Sequence, residues 1–172
     1  FLLMTKFSSL QWLWLSLVII IADQITKHLA TKHLVYQQAN EIISGLNLTL
    51  VHNTGAAFSF LSEAGGWQRW FFVVLTSAVS LGLIYWLGTL AKQRIWLAVA
   101  LALVLGGALG NLWDRIMLGY VIDFIDVYYA QWHWPAFNVA DSSICAGAGM
   151  LIIDAIWFDP AEVSTTDKGT SD

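Results

Sequence analysis

The sequence predicts an α-helical membrane protein with four transmembrane helices and a small β-containing excursion on the outer face of the membrane. Composition gives the first reason: 58% of the 172 residues are hydrophobic and only 12% are charged, about half the charged fraction of soluble domains. The second reason is that four long apolar segments divide the chain. The third is that carboxylates and carboxamides cluster at the ends of those segments.

Each apolar segment is close to the roughly 20 residues that a bilayer demands. Aromatic residues lie at both ends of the second segment, as in the aromatic belts of membrane interfaces. We place the spans at residues 10–30, 67–87, 95–112 and 139–158. Residues 4–158 are therefore expected to form one four-span domain, and the polar tail 159–172 is expected to be cytoplasmic and disordered.

Two longer stretches, residues 31–66 and 113–137, separate the spans. Within the first, residues 46–50 alternate apolar and polar side chains, which predicts a half-buried strand. Asn53, Thr54 and Gly55 give a turn signal, and residues 56–61 are apolar again. A strand, a turn and a second extended piece are therefore expected there.

The distribution of basic residues predicts the orientation. If four spans alternate, Lys6, Lys92 and Arg94 fall on one side of the membrane, and Lys32 and Arg69 fall on the other. The positive-inside rule then puts both termini in the cytoplasm and both excursions outside, on a slight bias.

Most of the polar residues near the spans converge on that outer face. Ionisable groups at membrane depth are costly, so such a cluster is a functional-site hypothesis by default. Asp154 is the exception, and we interpret it as a simple interfacial carboxylate near the far end of the fourth span. The converging residues are Asp23 and Lys27 in the first span, Asn111, Asp114 and Arg115 in the third, and Asn138 and Asp141 in the fourth.

Small residues predict close packing of the third and fourth spans. Gly106 and Gly110 form a GxxxG pattern in the third span, and Ser143 with Gly147 and Cys145 with Gly149 are spaced in the same way in the fourth. Such residues let helix backbones approach closely in lipid. Taken alone, these residues require nothing beyond ordinary helix packing.

Two local interpretations stay open. Asp23 and Lys27 are spaced i,i+4 with the acid first, which favours a helical ion pair. That pair either stabilises a helix end, or Lys27 reaches into a site. Asp114 is adjacent to Arg115, so a salt bridge at the helix end is enough to explain it.

Several functional classes are excluded by composition. The chain has no basic patch for nucleic acid, and its one cysteine, Cys145, permits no disulfide framework and is expected to be a packed small residue. The four histidines do not have metal-ligand spacing. We therefore expect neither a metal nor another cofactor.

Asp123 and Asp141 are the carboxylates most suited to meet in a dry pocket. Asp123 lies between apolar residues, which would raise its pKa by desolvation. Asp126 would face the opposite side of any extended segment that contains Asp123, since side chains alternate. Asp141 lies one helical turn after Asn138 and begins a span.

Two carboxylates in contact cannot easily both ionise. At about 4 Å and an effective dielectric constant near 20, their repulsion is roughly 4 kcal/mol, or about three pKa units. One carboxyl group then holds a proton near neutral pH while the other is ionised. Such a pair activates water and protonates a leaving amine, which predicts peptide hydrolysis of the aspartic type.

Four motifs in order resemble the bacterial lipoprotein signal peptidase, or signal peptidase II, family over about residues 23–158. The resemblance implies an inner-membrane endopeptidase that cuts the signal peptide of a prolipoprotein just before a diacylglyceryl-modified cysteine. The motifs are Asp23-Gln24-x-x-Lys27; Asn53-Thr54-Gly55-Ala56-Ala57-Phe58; Gly110-Asn111-x-x-Asp114-Arg115 with Gly119-Tyr120-Val121-Ile122-Asp123-Phe124; and Phe137-Asn138-x-Ala140-Asp141-Ser142.

By that resemblance Asp123 and Asp141 are the catalytic dyad, and the partners are the prolipoprotein and membrane lipid, with the enzyme a monomer. The residues that would bind substrate or brace the site are Asn53, Gly55, Asn111, Asp114, Arg115, Asn138, Asp23 and Lys27. Two other functional classes fit the sequence less well. A proton-coupled transporter would place its carboxylates near the midplane, and a purely structural membrane protein would not need unpaired carboxylates near lipid.

Overall fold

The computed structural model describes residues 8–55 and 66–157, and in these ranges it contains four helices long and apolar enough to cross a membrane. This confirms the predicted fold class. The expected second extended piece at residues 56–61 and the tail 159–172 lie outside the described residues. A short 3-10 helix, Ser8–Trp12, leads into α1, Leu13–His33; the other spans are α2, Trp67–Thr89, α3, Ile95–Met117, and α4, Val139–Trp157.

Helix α3 is the centre of the bundle. It packs against α1, α2 and α4. In its apolar 18-residue stretch 67% of the residues are buried, whereas the buried share is 22% or less in the other three spans. The outer three helices instead expose large apolar side chains such as Leu17, Val74 and Ile152, which is the pattern of helices that face lipid. The helix continues five residues beyond the predicted end at residue 112, so its polar residues lie on its last two turns.

Small residues allow this close packing, but some of them face a different element from the one predicted. A Cβ added to Gly106 would lie 2.9 Å from the carbonyl oxygen of Ser16, so Gly106 serves the contact with α1 rather than with α4. Gly147 does face α3, as predicted. Gly149 meets nothing within 4 Å and Cys145 is exposed, so the prediction that these two pack against α3 was wrong.

The two excursions join in one antiparallel sheet of order β1-β2-β3-β4. The strands are β1, Ala39–Ile43, β2, Leu46–Asn53, β3, Val121–Tyr129, and β4, Trp132–His133. The predicted strand at residues 46–50 is confirmed within β2. Pairing of β2 with β3 places Val51 opposite Asp123 and Asn53 opposite Val121, so the end of the sheet lies beside the end of α3.

At the other end of the bundle, Asp154 is an ion-pair partner and not a simple interfacial carboxylate. It is buried, and its Oδ2 lies 2.6 Å from the guanidinium of Arg94, which precedes α3. A carboxylate in an apolar helix is costly unless it is paired. The pair therefore ties the beginning of α3 to the end of α4.

The contact of Gly147 with α3 predicts a difference between two glycines of one helix. In Gly147→Ala the new Cβ would lie 2.7 Å from the backbone carbonyl oxygen of Ala100. We expect this overpacking to lower the free energy of unfolding by about 1–3 kcal/mol. Gly149→Ala, which meets open space, should be neutral or slightly stabilising, because Ala is the better helix former. Thermal unfolding of both variants in detergent tests this, and equal midpoints would contradict the packing.

Candidate active site

A cavity of about 820 Å³ lies where the sheet meets the ends of α3 and α4. Asp123 of β3 and Asp141 of α4 both line it. Asn53, Asn111 and Arg115 line it as well. The cavity therefore brings together residues that are far apart in the sequence. The sequence had placed all five residues at a common site, and the cavity brings them together.

Asp123 is a buried carboxyl group with two carboxamide donors. Its Oδ2 accepts a hydrogen bond from Nδ2 of Asn53 at 3.0 Å, and its Oδ1 accepts one from Nδ2 of Asn138 at 2.8 Å. Burial, followed by the negative charge of Asp141, raises the pKa of Asp123 to about 7. The shift has the direction expected from its apolar neighbours in the sequence, and it lets this carboxyl group gain or lose a proton near neutral pH.

Asp141 lies in the first turn of α4, in a reciprocal cap with Asn138. The backbone N–H of Asp141 donates to Oδ1 of Asn138 at 2.9 Å, and the backbone N–H of Asn138 donates to Oδ2 of Asp141 at 3.2 Å. This is the geometry of a capping box. The positive end of the helix dipole also favours a negative charge in this turn. The cap therefore fixes the side chain of Asp141 in the cavity.

The carboxamides of Asn111 and Asn138 connect the two aspartates. Nδ2 of Asn138 donates to Oδ1 of Asn111 at 3.1 Å as well as to Asp123. Nδ2 of Asn111 then donates to Oδ1 of Asp141 at 2.8 Å. Asn138 thus holds Asp123, Asn111 holds Asp141, and the two carboxamides are hydrogen-bonded to each other.

Lys27 lies next to the carboxamide of Asn111 and is only 1% exposed. Its Nζ lies 2.7 Å from Asp23 and 2.8 Å from Asp114, and it donates to Oδ1 of Asn111 at 2.9 Å. Both open interpretations of Lys27 are therefore realised: it forms the helical ion pair, and it reaches the site through Asn111. Because an ammonium can only donate, it also sets which end of the Asn111 carboxamide faces Asp141.

Asp114 does not pair with Arg115, contrary to the sequence interpretation. Consecutive residues of a helix point about 100° apart, and Asp114 faces α1, where it meets Lys27. Arg115 instead donates to the backbone oxygen of Gly55 at 3.2 Å, and its guanidinium lies 5.1 Å from the ring centre of Phe72. Arg115 thus ties the turn after β2 to the wall of the cavity.

Some residues stand differently from their predicted places. Asp126 faces away from Asp123, as alternation predicted, and contacts His133 of β4. Cys145 was expected to be a packed small residue, but it is exposed and lines the cavity, one helical turn beyond Asp141. Residues 134–136, which form part of the cavity wall, were missed, and only the aromatic character of that excursion hinted at them. Within residues 8–55 and 66–157, no group of three His, Cys, Asp or Glu side chains could hold a metal ion.

Comparisons with known proteins agree with the motifs. The family model described as "Signal peptidase (SPase) II" matches residues 15–157. A lipoprotein signal peptidase of Teredinibacter turnerae is 54% identical over 150 residues, covering 87% of this chain and 89% of that protein. One from Acinetobacter baumannii is 52% identical over 159 residues, covering 92% and 90%.

Solved structures give the same fold. A bacterial membrane enzyme determined by the in meso method at 2.3 Å resolution matches with a TM-score of 0.79 at 30% identity, covering 98% of each chain. Another at 1.9 Å resolution matches with a TM-score of 0.77 at 31% identity, covering 90% of this chain and 98% of that one. With the family model spanning all four helices and the sheet, this chain belongs to the signal peptidase II family of bacterial lipoprotein signal peptidases.

Proposed function

We propose that this chain, as a lipoprotein signal peptidase, uses Asp123 and Asp141 as its catalytic pair. Its substrate would be a prolipoprotein whose cysteine carries diacylglycerol, cut on the N-terminal side of that cysteine. The observation that carries the proposal is that the two aspartates line one cavity and are joined through hydrogen-bonded carboxamides. A raised pKa beside a second carboxylate is the usual arrangement of an acid and a base in one site.

The proposed reaction follows from this asymmetry. Asp141 takes a proton from water, the water oxygen bonds to the scissile carbonyl carbon, and Asp123 gives its proton to the carbonyl oxygen. The C–N bond of the tetrahedral intermediate then breaks. Asp141 returns a proton to the departing amine, and Asp123 regains one from a hydroxyl of the intermediate. The pair ends as it began, with one proton shared between two carboxyl groups.

The other predicted site residues would hold this pair in place. Asn53, Asn111 and Asn138 donate to the aspartates. Arg115 lines the cavity and is bonded to Gly55 in the turn after β2. Asp23, Lys27 and Asp114 orient Asn111 from behind. Such support matters because a misplacement of about 1 Å can cost 10²-fold in rate.

The place of the site suits a lipid-bearing substrate. The cavity lies at the ends of apolar spans and beside lipid-facing helices, so a substrate anchored by acyl chains can reach it by lateral diffusion in the bilayer. We propose that the enzyme works as a monomer, since one chain supplies both aspartates and the two carboxamides that connect them. Light scattering of the detergent complex would test this.

We further propose an inner-membrane location with both termini in the cytoplasm and the catalytic cavity near the outer face. The exposed Lys92 and the nearby Arg94 lie between α2 and α3, at the opposite end of α3 from the cavity, and the positive-inside rule assigns that end to the cytoplasm. After replacing the native cysteine with serine, Glu41→Cys should react with an impermeant thiol reagent added from outside, and Gln93→Cys should not. Labelling of position 93 alone would contradict the orientation.

The catalytic proposal predicts the effect of two isosteric substitutions. Asp123→Asn and Asp141→Asn retain the size of the side chain and one of its two acceptor oxygens but cannot cycle a proton, so each should abolish turnover while leaving folding and substrate binding largely intact. Residues that act as a unit are non-additive, so the double variant should be little worse than either single one. The measurement is cleavage of a diacylglyceryl-modified prolipoprotein, followed by mass spectrometry.

Glu41→Gln is the matched control for the loss of a carboxylate. Glu41 is an exposed residue of β1 that accepts a hydrogen bond from Tyr128, and its variant should cleave at the wild-type rate. Substantial turnover by both single variants would reject the aspartic mechanism.

The raised pKa of Asp123 predicts a falling limb in the pH profile. If Asp123 must be protonated to act as the acid, kcat/KM should fall about tenfold per pH unit above its pKa of about 7. The linked stability has the same sign: the folded state binds the extra proton between about pH 4 and pH 7, so stability falls as the pH rises through that window. Asp123→Asn should accordingly gain thermal stability relative to wild type at pH 8 but not at pH 4. A flat profile up to pH 9 would contradict the assignment.

A further inference from the structure

A second polar cluster lies on the face of the sheet opposite to Asp123 and takes no part in the proposed reaction. Its centre is Asp126 of β3, which is only 7% exposed. Oδ2 of Asp126 accepts hydrogen bonds from Nδ2 of Asn47 at 3.1 Å and from Oγ1 of Thr49 at 3.2 Å. Its Oδ1 lies 2.7 Å from Nδ1 of His133. The cluster therefore joins β2, β3 and β4 through one carboxylate.

The ionised form of Asp126 suits these contacts. Burial raises the pKa of Asp126, but the hydrogen bonds from His133, Asn47 and Thr49 together outweigh burial and leave the pKa below its ordinary value. A carboxylate can only accept, so Nδ1 of His133 carries the hydrogen that joins them. A charge-assisted hydrogen bond of this kind is stronger than a neutral one.

The partner of Asp126 lies next to the wall of the catalytic cavity. We define the wall segment as residues 134–136, which line both the catalytic cavity and a second cavity of about 480 Å³ that Asp126 and His133 also line. The wall segment, together with Val51, is thus shared by the two spaces. A change in its position would alter the shape of the catalytic cavity.

Contacts at both ends hold the wall segment. On the C-terminal side, the backbones of Phe137 and Ile125 exchange two hydrogen bonds, of 2.9 and 3.0 Å. On the N-terminal side, the N–H of Trp134 donates to Val127 at 2.8 Å. His133 precedes the segment directly and is held by Asp126. Pro135, at its centre, has no N–H to contribute, so the anchors at the two ends determine where it lies.

We propose that Asp126 and His133 are a positioning pair that sets the wall of the catalytic cavity and thereby the fit of the prolipoprotein. The pair acts through the wall segment and not on the scissile bond, since its carboxylate points away from Asp123. It should therefore govern KM and leave kcat largely unchanged. This inference rests on the proposed function, since it concerns the same cavity and substrate.

Substitutions of His133 separate the hydrogen bond from mere volume. His133→Asn can place an N–H donor close to the position of Nδ1, whereas His133→Gln places its donor near that of Nε2, and His133→Leu has none. We expect KM to rise about fivefold in the Leu and Gln variants and to stay within about twofold of wild type in the Asn variant. All three should keep kcat within about twofold. Tyr129→Phe, an exposed position beside β4, is the control and should change neither constant.

The first measurement is steady-state cleavage of a diacylglyceryl-modified prolipoprotein by each variant. The second is the Kd of that prolipoprotein for the same variants carrying Asp123→Asn, in which turnover is removed. Agreement between the rise in KM and the rise in Kd supports the positioning role. A fall in kcat at unchanged KM, or an Asn variant as defective as the Leu variant, would overturn it. If the Leu variant does not fold, the comparison of Asn with Gln decides alone. Absence of cleavage by wild type would instead reject the proposed function.

Discussion

The rest of the structure depends on the ion pairs of the buried ammonium group of Lys27. It pairs with Asp23 of its own helix and joins α1 to α3 through Asp114. Each carboxylate then binds another element: Asp23 accepts from the N–H of Ala140 at the start of α4, and Asp114 accepts from the N–H of Ile122 in β3. One charge thus locates three helices and the sheet. Removing one partner of such a group leaves an uncompensated buried charge, which costs about 3–5 kcal/mol.

The close packing of α3 and this network require one another. A Cβ on Gly110 would lie 2.8 Å from Oδ2 of Asp23, so the glycine leaves the space that the carboxylate occupies. Gly106, one turn earlier, lets α1 approach so that Oγ of Ser16 can bond the carbonyl oxygen of Ala102 at 2.8 Å. Small residues in a span are commonly interpreted as helix packing alone. Here they also determine how near a charged side chain of one helix lies to the backbone of the next.

Local patterns were sufficient for the helices and for β2, because hydropathy and alternation are properties of neighbouring residues. They also predicted that Asp123 and Asp141 would meet in one pocket, and both residues line the cavity. Partners distant in sequence were harder. Adjacent charges favoured pairing Asp114 with Arg115, whereas helical phase turns Asp114 towards α1. The pairing of Arg94 with Asp154 and that of Asp126 with His133 depend on the packing of whole elements, which no local pattern contains.

The division between helices and sheet explains how water and lipid can serve one reaction. Hydrolysis needs a water molecule beside two carboxyl groups, and the hydrocarbon interior would make ionised carboxylates too costly. A sheet lies at the ends of α3 and α4. Its strands carry Asp123 and Asn53, and Asn53 donates a hydrogen bond to Asp123. Helix α4 contributes Asp141 from its first turn, where the Asn138 cap fixes the side chain at the positive end of the helix dipole. The burial that raises the pKa of Asp123 and the helix end that carries Asp141 therefore meet in one cavity, and in the proposed reaction the difference between these two environments would distinguish the acid from the base.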